Sequence, residues 1–337
     1  MYDIVVIGAG PTGATVAKTL AEKKLNVLIV ERMKLPRYKS CSGMLIQKTV
    51  ELVKRYFNDD IPDSVKCTPF DNSGMVFTDD KGEEFVFKQN AINVWRSKFD
   101  YWLIEKAVSI GAELLDETTA ISCTLNNDFV KVTLHSDANY TIQTKYIIDC
   151  EGATSSFKRK FYGSTPKFIT TFQTFNEGTI DLDPHYFYAY LQPNLSEYDA
   201  WFNVKDEILV LGVAVKDTAN LLRYYNKFLQ YMTMQHNLTL KKTIKQERWL
   251  LPYIQKGFKI DYGEGRIFFA GEVAGFLNPM GEGVSAGIES GYWIAQAIIS
   301  HFTNPEAVLN DYMEQTKNLK SYMERQWDLV NRMVKNF

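Results

Sequence analysis

A glycine-rich segment near the start of the chain has the spacing G-x-G-x-x-G. It reads Gly8-Ala9-Gly10-Pro11-Thr12-Gly13 and joins an apolar run to a stretch with helical spacing. In such a loop the first glycine permits a tight turn, the second lets a pyrophosphate approach the backbone, and the third permits close helix-to-strand packing. The N-terminus of the following helix favours the negative charge of the phosphates. We therefore expect this loop, including Pro11 and Thr12, to bind a dinucleotide.

An acidic residue follows the loop at the distance that dinucleotide sites require. Glu31 comes directly after the apolar run 27 to 30, about 20 residues beyond the loop, where an acid hydrogen-bonds a ribose hydroxyl. We assign the neighbouring Arg32 to the same site. Residues 3 to 7 and 27 to 30 are predicted to be strands and residues 11 to 23 the helix between them, which makes one βαβ unit. These residues alone do not separate FAD from NAD.

The cysteines and histidines show no pattern typical of a metal site. Cys41, Cys67, Cys123 and Cys150 are scattered, without the close pairs of a zinc site or a small disulfide framework. None of the four histidines has metal-ligand spacing. We therefore expect no metal, and the cysteine pattern predicts a reduced, cytoplasmic setting.

The composition favours a small-molecule partner over a nucleic acid. The 337 residues are 45% hydrophobic and 14% aromatic, with a formal net charge of −2. The chain can therefore bury a large core, and it lacks the positive charge of a broad nucleic-acid surface. No apolar run of roughly 18 residues occurs, so no membrane-spanning helix is expected.

Residues 70 to 300 change pattern twice. Segments 75 to 77 and 85 to 87 alternate, and the aromatic-rich residues 168 to 215 predict an antiparallel sheet. Its aromatic side chains suit a pocket for an apolar or aromatic substrate, although sheet core is the alternative interpretation. Residues 266 to 300 return to the order strand, glycine loop, helix, so we expect the nucleotide-binding part to be discontinuous in sequence.

The last segment, from about residue 304, is predicted to be helical. Apolar residues recur on one helical face, among them Leu319, Met323, Trp327 and Val330, with basic residues between them. Packing of this face on the body of the protein is the favoured interpretation. A peripheral contact with a membrane surface is the alternative.

Further segments resemble a known group of flavoproteins. Ile147 to Ser156 resembles the "D-G" segment of flavoprotein hydroxylases (the p-hydroxybenzoate hydroxylase-like superfamily), and Arg266 to Gly291 resembles their "G-D" segment and the helix after it. Within that superfamily the chain is most similar to the geranylgeranyl reductase family of FAD-dependent oxidoreductases. This likeness rests on Cys41-Ser42-Gly43, on Arg96-Ser97-Lys98-Phe99-Asp100-Tyr101-Trp102-Leu103 and on Pro279-Met280-Gly281-Glu282-Gly283. Glu151 and Glu272 replace aspartates of the family pattern, and Ser42 replaces a glycine.

The resemblance implies FAD as the cofactor and a set of further site residues. Glu272 would accept a hydrogen bond from a ribityl hydroxyl, and Arg96 would lie along the flavin or its pyrophosphate. The alternative interpretation of Arg96 is a surface ion pair with Asp100. Cys41 would lie beside the flavin as a proton donor, with a small packing residue as its alternative. The remaining implied FAD contacts are Ser42, Gly43, Glu151, Gly152, Gly271, Pro279, Gly281, Gly283 and Val284.

The resemblance also implies the fold and the division of the chain. The fold class is α/β, with a discontinuous Rossmann-type FAD-binding domain over residues 1–70, 90–165 and 255–303. An inserted antiparallel-sheet substrate domain covers residues 71–89 and 166–254, and residues 304–337 form a C-terminal helical segment. No second G-x-G-x-x-G occurs, so NAD(P)H or another reductant would visit transiently, or a separate protein would donate electrons.

Reduction of a carbon–carbon double bond in an apolar, prenyl-like or aromatic substrate is the expected reaction. One alternative is a flavin-dependent monooxygenase that hydroxylates an aromatic small molecule. The other is a flavin-bearing redox sensor or binding protein without turnover.

The glycine loop generates a direct test. Gly10→Val should abolish the yellow colour of the purified protein, because a branched side chain would occupy the space of the FAD pyrophosphate. The measurement is the FAD-to-protein ratio from the absorbance spectrum, with folding checked by circular dichroism. Stoichiometric FAD in a folded Gly10→Val variant would contradict the prediction.

Overall fold

The computed structural model describes residues 1–163, 167–253 and 257–334. The strands are β1 (Tyr2–Ile7), β2 (Val27–Val30), β3 (Met44–Leu45), β4 (Lys66–Thr78), β5 (Glu84–Val94), β6 (Glu113–Leu115), β7 (Thr119–Leu125), β8 (Val130–His135), β9 (Asn139–Asp149), β10 (Phe168–Thr179), β11 (Tyr186–Tyr190), β12 (Ala200–Lys205), β13 (Ile208–Val215), β14 (Thr239–Pro252), β15 (Gly263–Glu264) and β16 (Ile267–Phe269). The helices are α1 (Pro11–Ala21), α2 (Gln47–Phe57), α3 (Arg96–Ser109), α4 (Ser156–Tyr162), α5 (Leu221–His236), α6 (Val284–His301), α7 (Pro305–Gln315) and α8 (Lys317–Met333).

The first of two large sheets has a parallel centre. Strands β16, β9, β1, β2 and β6 follow one another in that order, and each neighbouring pair is parallel. Strand β2 is buried along its whole length, as expected for a β-branched run covered on both faces. The hairpin β7–β8 extends the sheet at β9, and β15 extends it at β16. The parallel strands end at one edge, where open α/β sheets bind ligands.

The second sheet contains β14, β10, β13, β12, β11, β4, β5 and β3, in that order. Its neighbouring strands are antiparallel except for the parallel pair β11 and β4. Helix α5 covers one face, where Phe172 of β10 and Phe202 of β12 join its buried side chains. Because side chains alternate along a strand, Thr171 and Gln173 of β10 lie on the opposite face.

Close packing joins the glycine loop to the rest of the first sheet. A Cβ on Gly13 would overlap the carbonyl oxygen of Gly8, so α1 lies directly against the end of β1. Thr12 is packed against the backbone of α6 and of the segment after β16. A Cβ on Gly271, Gly287 or Gly291 would collide with Thr12 atoms. Bulkier residues at these positions would push α6 away from α1.

The C-terminal helices pack inward. Leu319, Met323, Trp327 and Val330 of α8 are each at most 3% exposed, which confirms packing on the body of the protein. Within the described ranges, no helix combines the length and the apolar character that a membrane crossing requires.

The predicted α/β fold class is confirmed. Helix α3 begins at Arg96, the first residue of the segment Arg96 to Leu103 that carries part of the resemblance. Helices α2 and α5 were not predicted from the sequence. Strands β3, β4 and β5 all belong to the second sheet. The division into domains by residue number stays a prediction.

Candidate functional site

Two adjoining clefts lie where the parallel strand ends face the second sheet. The first measures about 630 Å³ and the second about 1190 Å³, both counted with space that is open to solvent. The residues that line both clefts are Gly10, Arg37, Lys39, Cys150, Glu151 and Trp249. One elongated molecule can therefore extend from the first cleft into the second.

The first cleft brings together the predicted dinucleotide residues Gly8, Gly10, Glu31 and Arg32. Glu31 is 5% exposed, and its Oε2 accepts a hydrogen bond from the backbone N–H of Ala9 at 3.0 Å. This bond holds the carboxylate at the end of β2, beside the glycine loop. The position agrees with the ribose contact expected from the sequence.

The glycine loop has room for phosphates. A Cβ on Gly10 would meet Nη2 of Arg37 at 3.4 Å, an ordinary contact distance, so the loop is open towards the cleft. Helix α1 begins at Pro11, and its first backbone N–H groups lack partners within the helix. An open backbone, a helix N-terminus and a facing guanidinium together fit a pyrophosphate group.

Arg37 is a site residue that the sequence analysis missed. Its Nε lies 3.2 Å from Oε2 of Glu31, and its Nη1 lies 3.2 Å from Oδ2 of Asp100. The side chain is 11% exposed and joins the end of β2 to α3. A single arginine in a loop carries no spacing signal, and Asp100 comes near only after α3 packs on the sheet.

Glu272 faces the glycine loop from the turn after β16. Its Oε2 accepts a hydrogen bond from the backbone N–H of Ala153 at 3.1 Å, and both Glu272 and Gly152 line the second cleft. The carboxylate is therefore placed to accept a hydrogen bond from a cofactor hydroxyl. Gly271 lies behind it against Thr12 and does not line either cleft.

Glu151 lines both clefts, but its carboxylate is engaged by helix α4. It accepts hydrogen bonds from Ser155 Oγ at 2.9 Å, Ser156 Oγ at 3.2 Å and the backbone N–H of Phe157 at 2.9 Å. The last of these bonds satisfies one of the free backbone donors at the N-terminus of α4. Burial and the nearby charge of Glu151 raise the pKa of Asp149 to about 7.

The loop before α6 forms another wall of the second cleft. Gly281, Gly283 and Val284 line it, while the carbonyl of Pro279 is turned away and accepts the Tyr198 hydroxyl at 2.5 Å. The carboxylate of Glu282 accepts the backbone N–H of Ser285 at 2.8 Å and its hydroxyl at 2.7 Å. Helix α6 thus begins at the cleft, and the positive end of its dipole favours negative charge there.

Cys41 and Ser42 also line the second cleft, and Gly43 lies behind them. Gly43 has φ +77°, and a Cβ there would collide with the carbonyl of Val94 and the side chain of Lys205. Glycine is therefore required to fold the loop back at this point. The N–H of Gly43 donates to the Cys41 sulfur at 3.4 Å, which fixes the sulfur at the cleft wall.

Positive charge surrounds the Cys41 sulfur. Burial alone would raise the pKa of the thiol, but the facing guanidinium of Arg96, the Gly43 N–H and the Lys205 ammonium lower it below its ordinary value. Lys205 is itself buried, and burial lowers its pKa although the nearby Cys67 and Cys41 act against this. Its Nζ lies 4.1 Å from the ring centroid of Trp95. Lys205 was missed because only the fold brings β12 to this loop.

Arg96 forms the ion pair that its spacing predicted, but not at the surface. Its Nε and Nη2 donate to the two carboxylate oxygens of Asp100 at 2.7 and 3.0 Å. Arg96 is 8% exposed and Asp100 is 1% exposed, so the alternative interpretation, an ion pair at the surface, is wrong. The pair is buried because α3 packs on α1 and Arg37 covers Asp100. Arg96 also lines the second cleft, as the resemblance implied.

The far side of the second cleft is formed by the second sheet. Its large apolar lining residues are Phe187, Trp201, Trp249, Leu251 and Met280. Lys39 closes the near side, with its ammonium 4.3 Å from the ring centroid of Trp249. Burial lowers the pKa of Lys39, although the nearby Glu272 acts against this. None of the contacts across the cleft was predictable from spacing.

Comparison with known proteins agrees with this geometry. Residues 1–185 match the family model described as FAD binding domain. The digeranylgeranylglycerophospholipid reductase of Methanosarcina mazei is 32% identical over 165 residues, which cover 47% of this chain and 39% of that enzyme. The chain thus spans well under half of that relative.

Two solved structures share the fold at low identity. A geranylgeranyl bacteriochlorophyll reductase-like protein from Thermoplasma acidophilum has a TM-score of 0.82 at 18% identity, over 98% of this chain and 87% of that chain. The flavin-dependent brominase Bmp2, as a triple mutant, has a TM-score of 0.75 at 18% identity, over 96% of this chain and 87% of that chain. The family model covers residues 1–185, more than half of the 337 residues of this chain, so the chain belongs to the FAD binding domain family.

Proposed function

We propose that the chain reduces a carbon–carbon double bond of an apolar substrate, prenyl-like or aromatic, with FAD in the two adjoining clefts. The glycine loop and Arg37 would hold the pyrophosphate, and Glu31 the ribose. Glu272 would hold the ribityl chain, and the N-terminus of α6 would face the flavin ring. The observation that carries the proposal is the Cys41 thiol, which lines the same cleft as a large apolar wall.

The chemistry needs a hydride and a proton on adjacent carbons. The residues of the two clefts would hold FAD, and the cofactor, when bound and reduced, would supply the hydride to one carbon of the double bond. The electron pair of that bond would then take a proton at the neighbouring carbon. The Cys41 thiol donates that proton, and its S–H electron pair stays on sulfur as a thiolate. Arg96, the Gly43 N–H and Lys205 stabilise the thiolate until solvent protonates it again.

The charge around Cys41 suits this role. A general acid works best when its pKa lies near the operating pH. The cations lower the pKa of Cys41 below its ordinary value, which makes its thiol a stronger acid. The same cations favour the proton-donor role over a purely apolar packing role for the sulfur, since charged groups face it.

The electron donor belongs to the proposal as well. NAD(P)H or another reductant would reach the flavin through the open cleft and leave again, or a separate protein would donate the electrons. Similarity to the digeranylgeranylglycerophospholipid reductase of Methanosarcina mazei supports a reductase, and the brominase shares only the fold. Oxygen-dependent hydroxylation is the rival reaction, and the experiments below separate the two.

Replacement of Cys41 tests the proton donor. Cys41→Ser and Cys41→Ala should keep the FAD spectrum and accept electrons from dithionite as the wild type does. Both should lose roughly a hundredfold or more in double-bond reduction, the usual scale for a general acid. The measurement is anaerobic single turnover of geranylgeraniol by the reduced protein, with products analysed by mass spectrometry.

Cys123→Ser is the matched control, because Cys123 lies in β7, away from both clefts. Its turnover should equal that of the wild type. Normal double-bond reduction by both Cys41 variants would exclude Cys41 as the donor.

Replacement of Arg96 tests the charge that lowers the pKa of Cys41. In Arg96→Gln the cation is lost, so the pKa of Cys41 should rise and the thiol should stay protonated to higher pH. Alkylation of Cys41 by iodoacetamide, followed by peptide mass spectrometry in the apoprotein, should then begin at higher pH than in the wild type. Arg96→Lys, which keeps a positive charge, should fall between them. An unchanged Cys41 profile in Arg96→Gln would refute the pairing.

A further inference from the structure

A carboxyl group stands in the apolar wall of the second cleft without a role in the reaction described above. Asp199 directly precedes β12 on the second sheet, and its backbone carbonyl accepts the N–H of Ala214 on β13 at 2.8 Å. The backbone is thereby fixed in the sheet. The residue is half-buried, and it lines the second cleft.

The surroundings of Asp199 are mainly apolar. Phe187, Trp201, Leu251 and Met280 line the same cleft. In the three described ranges, no side chain forms a hydrogen bond or an ion pair with the Asp199 carboxyl. Burial raises its pKa to about 7, which leaves a neutral and an ionised form accessible near neutral pH.

The wall around Asp199 is closely packed. The indole of Trp201 lies against Gly212 of β13, where a Cβ would overlap it. Trp201 is 8% exposed, and its indole N–H has no hydrogen-bond partner in the part of the chain that the structure describes. A bound molecule that displaces water from the half-buried Asp199 carboxyl must supply a donor in its place, since an unpaired carboxyl in an apolar wall costs free energy.

We propose that Asp199 is the specificity residue that accepts a hydrogen bond from a hydroxyl or amino group on an otherwise apolar substrate. This inference rests on the proposed function for the identity of the cleft as a substrate site. A substrate held by Asp199 at its polar end contacts the second sheet, while Cys41 acts from the loop after β2. The carboxyl thereby selects molecules with one polar group and sets which double bond lies near the cysteine.

The chemistry separates the two kinds of donor. A hydroxyl needs only an acceptor oxygen, which an amide also provides. A protonated amine needs the negative charge as well, since charge-assisted hydrogen bonds are about twice as strong as neutral ones. Asp199→Asn therefore distinguishes them, and Asp199→Leu removes both interactions at similar volume.

The test measures ligand binding to the oxidised, FAD-loaded protein, without turnover. Double-bond reduction is measured in a separate experiment, so a failure of the proposed reaction and a failure of the Asp199 proposal can be told apart. Geraniol, geranyl methyl ether and geranylamine share one apolar body, and only the ether lacks a hydrogen-bond donor. Their dissociation constants are measured from the change in the flavin absorbance spectrum. Glu207→Gln is the matched control, because Glu207 is an exposed acid in the turn between β12 and β13.

The wild type should bind one donor-bearing ligand more tightly than the ether. The expected difference is about two- to tenfold for geraniol, or about ten- to a hundredfold for geranylamine. Asp199→Leu should remove either preference, whereas Asp199→Asn should keep a preference for geraniol and lose one for geranylamine. Glu207→Gln should behave as the wild type. Equal wild-type affinities for all three ligands, binding of none, or an unchanged preference in Asp199→Leu would overturn the proposal.

Discussion

The contact between the start of α1 and the end of β1 is the constraint on which the rest of the site depends. Gly13 lies so close to the Gly8 carbonyl that a single added carbon would separate helix from strand. This contact aims the N-terminus of α1 at the first cleft. It also presents Thr12 to the glycines of α6 and of the turn after β16. A change at the start of α1 would therefore move the glycine loop, Glu272 and the start of α6 together.

A row of buried ion pairs joins the two clefts. Arg96 pairs with Asp100, Arg37 joins Asp100 to Glu31, and the two acids are each at most 5% exposed. In such a row of buried charges, the attraction between acids and cations offsets the free energy that burying each charge costs. Removal of one partner leaves an uncompensated charge. The Cys41 sulfur lies at the end of this row, so its acidity depends on residues spread over three segments of the sequence.

The sequence predicted the parts of the site whose function depends on local spacing. The glycine loop and Glu31 were proposed because turn geometry, helix start and strand end depend on neighbouring residues, whereas Gly271 and Glu272 were implied by the resemblance to flavoprotein hydroxylases. Arg37, Lys205 and Asp199 were not predicted, because contacts between segments far apart in sequence place them at the clefts. The Arg96–Asp100 spacing indicated a surface ion pair as the alternative interpretation. The pair forms, but spacing alone does not show that α1 and Arg37 bury it.

We propose that reduced flavin in this site reduces a carbon–carbon double bond and does not use oxygen to hydroxylate the substrate. The FAD-loaded protein is reduced anaerobically, mixed with oxygenated buffer with and without geranylgeraniol, and followed by flavin absorbance and product mass. We predict that the substrate gains two hydrogens under anaerobic conditions, and that oxygen only reoxidises the flavin without an oxygenated product. Oxygen consumption that the substrate accelerates, coupled to a hydroxylated product, would contradict the account.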